Sequence, residues 1–208
     1  MLKLYKYRAF SNQIDRDRLR QLIETQQLFC SIPSDLNDPY DCNIGSADHL
    51  MHYLVKLGVF CTSGANHNDI LLFSHYADRH RGACLEFEVD NERTIGGSSF
   101  LAFSEPIQYV ENFPAFTAQT IHRLPKTKYI AWQYEDEHRV LASLDSNPSH
   151  FRSFEKNELI GIRFGLRMPE PDRRIIREWV NAIDFPNVIF WGTCLRNDAF
   201  GFEYRRLP

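Results

Sequence analysis

Short stretches of two-residue alternation, each stopped by Gly, Pro, Asn or Asp, run the length of the chain, and a few stretches of helical spacing are scattered unevenly among them. That order favours an α+β fold over the strict strand-helix alternation of a doubly wound sheet. Leu2 to Phe10 alternates and is rich in aromatic residues, which predicts an opening strand. Ser11 or Asn12 then caps an amphipathic helix over about Ile14 to Gln26, with Leu19, Leu22 and Ile23 on its apolar face and Asp15 and Asp17 in its first turn. A strand from Leu28 to Ile32 ends at Pro33. Leu36-Asn-Asp-Pro-Tyr-Asp41 reads as a turn whose Asx side chains cap backbone amides and whose proline holds Asp38 extended. Helical spacing recurs through His49, His52, Tyr53, Leu54 and Leu57 to Gly58, before a strand at Val59 to Thr62.

Asn68 is a good cap for a helix carrying Leu72, Phe73, Tyr76, Ala77 and His80, and Gly82 supplies a left-handed stop before a strand at Ala83 to Val89. Strands follow at Gln108 to Val110 and Leu159 to Phe164. Pro169 and Pro171 open a helix over about Asp172 to Ala182, and Val188 to Cys194 and Gly201 to Arg206 close the chain as strands. Without an internal repeat, low-complexity linker or composition break, the chain reads as a single domain of mixed and antiparallel sheet with flanking helices.

Several chemistries find no support. A net charge of -3 argues against holding nucleic acid by bulk positive charge. Five cysteines, odd in number and without a CxxC pair, suggest neither a disulfide framework nor a cysteine zinc site, and read as reduced thiols in cytoplasm. Met1 to Phe10 carries Lys3, Lys6 and Arg8 without the apolar core of a signal peptide, and no apolar run is long enough to span a bilayer, so no membrane partner is expected. His75 and His80 are five apart and point about 140° away from each other on a helix, which excludes a shared metal of the i,i+4 kind. Gly96-Gly97-Ser98-Ser99 lacks the setting of a dinucleotide fingerprint, and no G-x-S-x-G elbow or phosphate-cradling glycine-lysine loop is present.

The densest chemistry lies in Lys128 to Ala142, KYIAWQYEDEHRVLA. If Gln133 to Leu141 is a strand, Glu135, Glu137 and Arg139 share one face, and the two acids stand about 7 Å apart, close enough to perturb each other or to steady a developing positive charge. If the stretch is a helix, Glu135 and Arg139 form only an i,i+4 ion pair.

An ordered set of short motifs resembles a bacterial family catalogued as domain of unknown function 2971. The set comprises Tyr5-Lys-Tyr-Arg8, Leu36-Asn-Asp-Pro-Tyr-Asp41, Ser74-His-Tyr-Ala-Asp78 through Gly82 to Phe87, Lys126, and Trp132-Gln-Tyr-Glu-Asp-Glu-His-Arg139, with Phe73 where a tryptophan is expected. More distantly, the layout resembles mono-ADP-ribosyltransferases, with an arginine on the first strand, an aromatic and hydroxyl region in the middle, and a late Glu-x-Glu acid. That resemblance implies an ADP-ribosyltransferase-like fold with NAD as substrate and no metal. It implies Glu137 as the catalytic glutamate and Glu135 as the acid that activates the acceptor. Arg8 and Tyr7 would hold the ribose or phosphate side of NAD, Tyr76 or Tyr40 would stack on nicotinamide, and Ser74 or His75 would orient the catalytic acid. The expected role is transfer of ADP-ribose to a protein or nucleic-acid acceptor by a toxin or phage-defence effector, with an antitoxin as a candidate partner. Two rivals are a non-catalytic nucleotide or nucleic-acid binding module using Trp132, Tyr134, Arg79 and Arg81, and a nuclease whose metal is held by Asp and Glu.

Overall fold

A computed structural model describes residues 1–42, 54, 56–64, 69–90, 99–115 and 117–208. In chain order the first elements are β1 (Leu2–Arg8), α1 (Gln13–Thr25), β2 (Gln27–Phe29), β3 (Leu57–Ser63), α2 (Asp69–Tyr76), β4 (Ala83–Val89), β5 (Glu105–Pro106) and β6 (Gln108–Val110). They are followed by β7 (Thr127–Tyr129), β8 (Glu137–Ser143), β9 (Phe151–Ser153), β10 (Leu159–Phe164), α3 (Glu170–Ile183), β11 (Ile189–Leu195) and β12 (Phe202–Arg206). Eight strands join in the order β12-β11-β10-β4-β1-β3-β8-β5, and the β10-β11 pair is parallel, connected over the sheet by α3. The α+β expectation of a mixed sheet with few helices is met.

Alternation along the strands sorts the residues into two interiors. Leu4 of β1 lies opposite Phe87 of β4, and this face packs with Ile162 and Phe164 against Leu19, Leu22 and Ile23 of α1 and Ile176 and Val180 of α3. Each such side chain stabilises the fold by about 1.5–3 kcal/mol through its removal from water. Tyr5, Tyr7 and Cys84 face the other way and pack against Leu72 and Phe73 of α2. α1 starts as its sequence predicts, with the Asn12 side chain accepting from the Asp15 amide at 2.9 Å, and Arg16 ties it to Asp172 at the start of α3 at 2.9 Å.

The sheet is not continuous in strength. β1 and β4 pair along their whole length, from Leu2↔Val89 to Arg8↔Ala83, and β3 and β8 pair from Leu57↔Ser143 to Ser63↔Glu137. Between β1 and β3 the register holds at Tyr5↔Ser63. Beyond that point the two strands part, so the ladder is missing along Lys6 to Arg8 and a hollow opens inside the sheet.

Several expected boundaries need correction. β1 stops at Arg8, and β2 is Gln27–Phe29 instead of Leu28 to Ile32, with Ser31 bridging singly to Val59. α2 ends at Tyr76 rather than running to a glycine stop, because Asp78, Arg79 and His80 take left-handed backbone with φ of 44°, 53° and 72°. Gly82 is needed for another reason: a Cβ there would stand 2.0 Å from the Arg8 carbonyl oxygen. The α2-β4 connection therefore lies directly on the end of β1. The stretch around Glu135 is neither wholly strand nor wholly helix. Ile130–Glu135 is a 3-10 turn, Asp136 is left-handed at φ 44°, and the strand begins at Glu137. The helix expected through His49 and His52, the Asn68 cap and the Gly96-Gly97 loop lie outside the described residues, and Leu57 and Gly58 belong to β3.

Candidate active site

The hollow between β1 and β3 is a cavity of about 230 Å³. Tyr5 to Arg8 form one side and Val59 to Ser63 the other; Asn37, Asp41, Tyr76, Lys128, Glu135, Glu137 and Arg139 also line it, with exposed Asp35 at its edge. A larger hollow of about 690 Å³ lies elsewhere, among Lys3, Glu86, Glu88, Asp90, Glu158 and Trp191. It holds none of the candidate site residues read from sequence, and its two buried acids are already engaged, Glu86 by Arg163 and Glu158 by Ser99 and the Glu155 amide, so size alone does not mark the site.

The wall formed by β8, β7 and the preceding turn is ionic. Arg139 is fully buried and spends all five of its N–H donors. Its Nε donates to Glu137 Oε1 at 2.7 Å and its Nη2 to Glu137 Oε2 at 3.1 Å, while Nη1 reaches Asp41 Oδ1 at 2.7 Å and the Pro125 carbonyl at 3.0 Å. Nη2 also bonds Asp41 Oδ2. Lys128 bridges the two glutamates, with its Nζ 2.6 Å from Glu135 Oε2 and 2.9 Å from Glu137 Oε2. The left-handed residue Asp136 makes this bridge geometrically available, since it folds the end of the 3-10 turn back beside the start of β8. The Tyr76 hydroxyl donates to Glu135 Oε1 and accepts from Asn37 Nδ2 at 2.9 Å.

Burial alone would push the Glu137 carboxyl up, but Arg139 and Lys128 outweigh it and hold it at about 2. Burial likewise works against the charges on Lys128 and Arg139, and the facing carboxylates more than offset it. Burial and the neighbouring Glu137 push the Cys61 thiol well up, which leaves it a poor nucleophile.

The opposite wall is cationic and barely compensated. Lys6 donates to the Cys61 carbonyl at 2.6 Å, spanning the gap where ladder bonds are missing, and its ammonium is lowered to about 8 by burial and by Arg8 two residues along. Arg8 is half-buried, and its Nε has no hydrogen-bond partner among the described residues. Burial, then Arg18, lowers it to about 10, so it stays charged at neutral pH.

Of the residues predicted from sequence, Glu137, Glu135, Arg8, Tyr7 and Tyr76 converge on this cavity. Ser74 and His75 do not line it; His75 sits on the exposed side of α2, its ring 6.2 Å from that of Tyr134. Tyr7 is present, but its hydroxyl is committed to Asp69. Tyr40 lies in a neighbouring hollow instead of joining Tyr76. The turn reading of Asp38 holds, with its side chain accepting from the Tyr40 amide at 2.9 Å, whereas Asn37 turns out to buttress Tyr76. Sequence reasoning missed Lys6, Lys128 and Asp41. Lys6 was legible in principle, because it lies two residues from Arg8 and so shares its face of β1. Among the described residues no group of three His, Cys, Asp or Glu is arranged to hold a metal, and no helix is long and apolar enough to cross a membrane.

Compared with protein-family models, curated proteins and solved structures, the chain finds no match. The resemblance to family 2971 and to ADP-ribosyltransferases thus rests on the motifs quoted above.

Proposed function

We propose that this cavity receives the nicotinamide-ribose end of NAD and cleaves its glycosidic bond, passing ADP-ribose to a protein or nucleic-acid acceptor, in the manner of a bacterial toxin or phage-defence effector. The polarity of the cavity carries the reading. Three carboxylates, Asp41, Glu135 and Glu137, share two cations, Lys128 and Arg139, so the β8 wall keeps one negative charge over. Lys6 and Arg8 stand on the β1 side. A ligand positive at one end and negative at the other fits such a hollow, and NAD joins a pyridinium-bearing sugar to a diphosphate.

In the reaction the bond from C1′ to the pyridinium nitrogen breaks, and its electron pair leaves with neutral nicotinamide. The sugar develops oxocarbenium character, which a carboxylate held ionised stabilises without reorganising. Glu137 fills that role because Arg139 and Lys128 fix both its charge and its position. The acceptor's lone pair closes on C1′, and Glu135 takes the acceptor proton, with Tyr76 fixing its orientation. Lys6 and Arg8 meet the diphosphate. At about 230 Å³ the hollow is smaller than the roughly 300–1,000 Å³ of sites for whole drug-sized ligands, so it encloses one end of the dinucleotide.

Incubation of purified protein with NAD and cell extract, followed by assay of free nicotinamide, tests this. The wild type releases nicotinamide and labels an acceptor; Glu137→Gln lowers the rate by about 10²–10³, the loss typical of one preorganised electrostatic group. Arg8→Met serves as the control for folding, since Arg8 Nε has no partner to lose: thermal stability is kept while KM for NAD rises. Absence of both NAD binding and turnover rejects the reading. RNA binding that persists in Glu137→Gln supports instead a non-catalytic nucleic-acid module built on Trp132 and Tyr134, whose rings stand 6.2 Å apart. Chelator-sensitive nucleic-acid cleavage supports the metal-dependent nuclease.

A further inference from the structure

A second cavity, of about 280 Å³, has Asp41 and Lys128 in common with the first. Both are already committed, Asp41 to Arg139 and Lys128 to the two glutamates. The rest of the lining is mainly apolar and aromatic, with Tyr40, Val110, Phe113, Leu124 and Tyr129 around it. Tyr40 and Phe113 hold their rings 6.3 Å apart and are 67% and 54% exposed, so aromatic faces are offered to whatever enters.

One group in this hollow is unsatisfied. Asp38 lines it and is only 4% exposed. Its Oδ1 accepts from the Tyr40 amide, but its Oδ2 is buried with no hydrogen-bond partner among the described residues. A buried acceptor without a donor is destabilising, and the cost is larger for a charged group. Exposed Glu111 is a third acid in the lining, beside Asp38 and the Arg139-bound Asp41. Among the described residues the one cation there, Lys128, is occupied by Glu135 and Glu137.

We propose that this cavity docks a guanidinium group, the arginine side chain of a partner protein. A planar, weakly hydrated cation stacks on aromatic faces while its N–H fork meets a carboxylate, and both features are present here. A compact ammonium keeps its water more tightly and gains less from aromatic walls. A nucleotide would bring phosphate toward Glu111. The docking is independent of NAD turnover, so its failure and that of the preceding reading are separable.

The test titrates the peptide acetyl-Gly-Arg-Gly-amide into the full chain without NAD, followed by NMR or calorimetry, beside the citrulline peptide and adenosine. Citrulline keeps the shape of arginine and removes its charge. The arginine peptide binds at least tenfold tighter than the citrulline peptide, and Asp38→Asn, which keeps an oxygen for the Tyr40 amide, removes that preference. Phe113→Ala, at an exposed position, weakens arginine binding severalfold. Equal binding of the two peptides, a preference unchanged in Asp38→Asn, or adenosine binding tighter than the arginine peptide overturns the proposal.

Discussion

Phe87, on β4 beneath α1 and α3, is 0% exposed, and Arg139, on β8 beside the cavity, is 1% exposed. The first packs within the apolar cluster, its ring centroid 5.2 Å from that of Phe154. The second is surrounded by carboxylates and a carbonyl. Burial of the phenylalanine stabilises the fold directly, at roughly 25 cal/mol per Å² of apolar surface. Burial of the arginine strips a charge of water, and attraction to Asp41 and Glu137 does little more than offset that loss. An interior built of leucine and phenylalanine would close the β3-β8 side of the sheet as well or better. The ionic wall therefore adds little net stability to the sheet. Under the proposed function, its use is to keep a fixed negative charge beside the cavity.

The comparison can be broken most forcefully at Arg139. Arg139→Leu leaves Asp41 and Glu137 buried without their cation and costs about 3–5 kcal/mol, as much as the about 3–5 kcal/mol expected of Phe87→Ala, read by urea denaturation. The two sites then diverge on repair. Joint replacement of Asp41, Glu137 and Arg139 by Leu, Leu and Met restores most of the lost stability, because the desolvation cost goes with the charges. The same triple variant is inactive toward NAD. If the triple variant is no more stable than Arg139→Leu, the ionic wall is structural and the contrast fails.

Acid sharpens it next. A carboxyl held at about 2 in the fold, against an ordinary 4.5, contributes stability that is fully present above pH 4.5 and is lost as pH falls toward 2. Denaturation midpoints of the wild type fall across that window, and those of the triple variant fall less. On the β1 side the sign is reversed. The Lys6 ammonium, lowered to about 8 from 10.5, destabilises the fold fully below pH 8, and that penalty is relieved as pH rises from 8 toward 10.5. Lys6→Met flattens this alkaline rise. The smallest effect belongs to neither interior: Arg79→Gly, at φ 53° in the turn after α2, raises stability by no more than about 1 kcal/mol, because relief of left-handed strain is partly offset by glycine's larger unfolded entropy.

Local signals were legible in the sequence, and the wall was only half so. α1 could be read from Asn12, the first-turn acid Asp15 and the apolar spacing, because all three act within one or two turns. The pairing of Arg8 with Glu137 across one cavity followed from the resemblance, not from any pattern between positions so far apart. The split between β1 and β3 was not legible, because alternation in Leu2 to Arg8 and Val59 to Thr62 is the same whether or not the strands stay paired. Asp136 was hidden too. Nothing in Tyr134-Glu-Asp-Glu137 marks the one residue that turns left-handed, yet that turn lets Lys128 grip both acids. Gly82 was read as a left-handed helix stop, whereas what requires it is the approach of the Arg8 carbonyl, a tertiary contact that local sequence does not reveal.

The most direct measurement is a crystal structure of the protein soaked with a non-hydrolysable NAD analogue. The account predicts the sugar C1′ beside Glu137 and Glu135, and the diphosphate against Lys6 and Arg8. An analogue bound outside the β1-β3 cavity, or bound within it with the diphosphate on the β8 wall, contradicts the account.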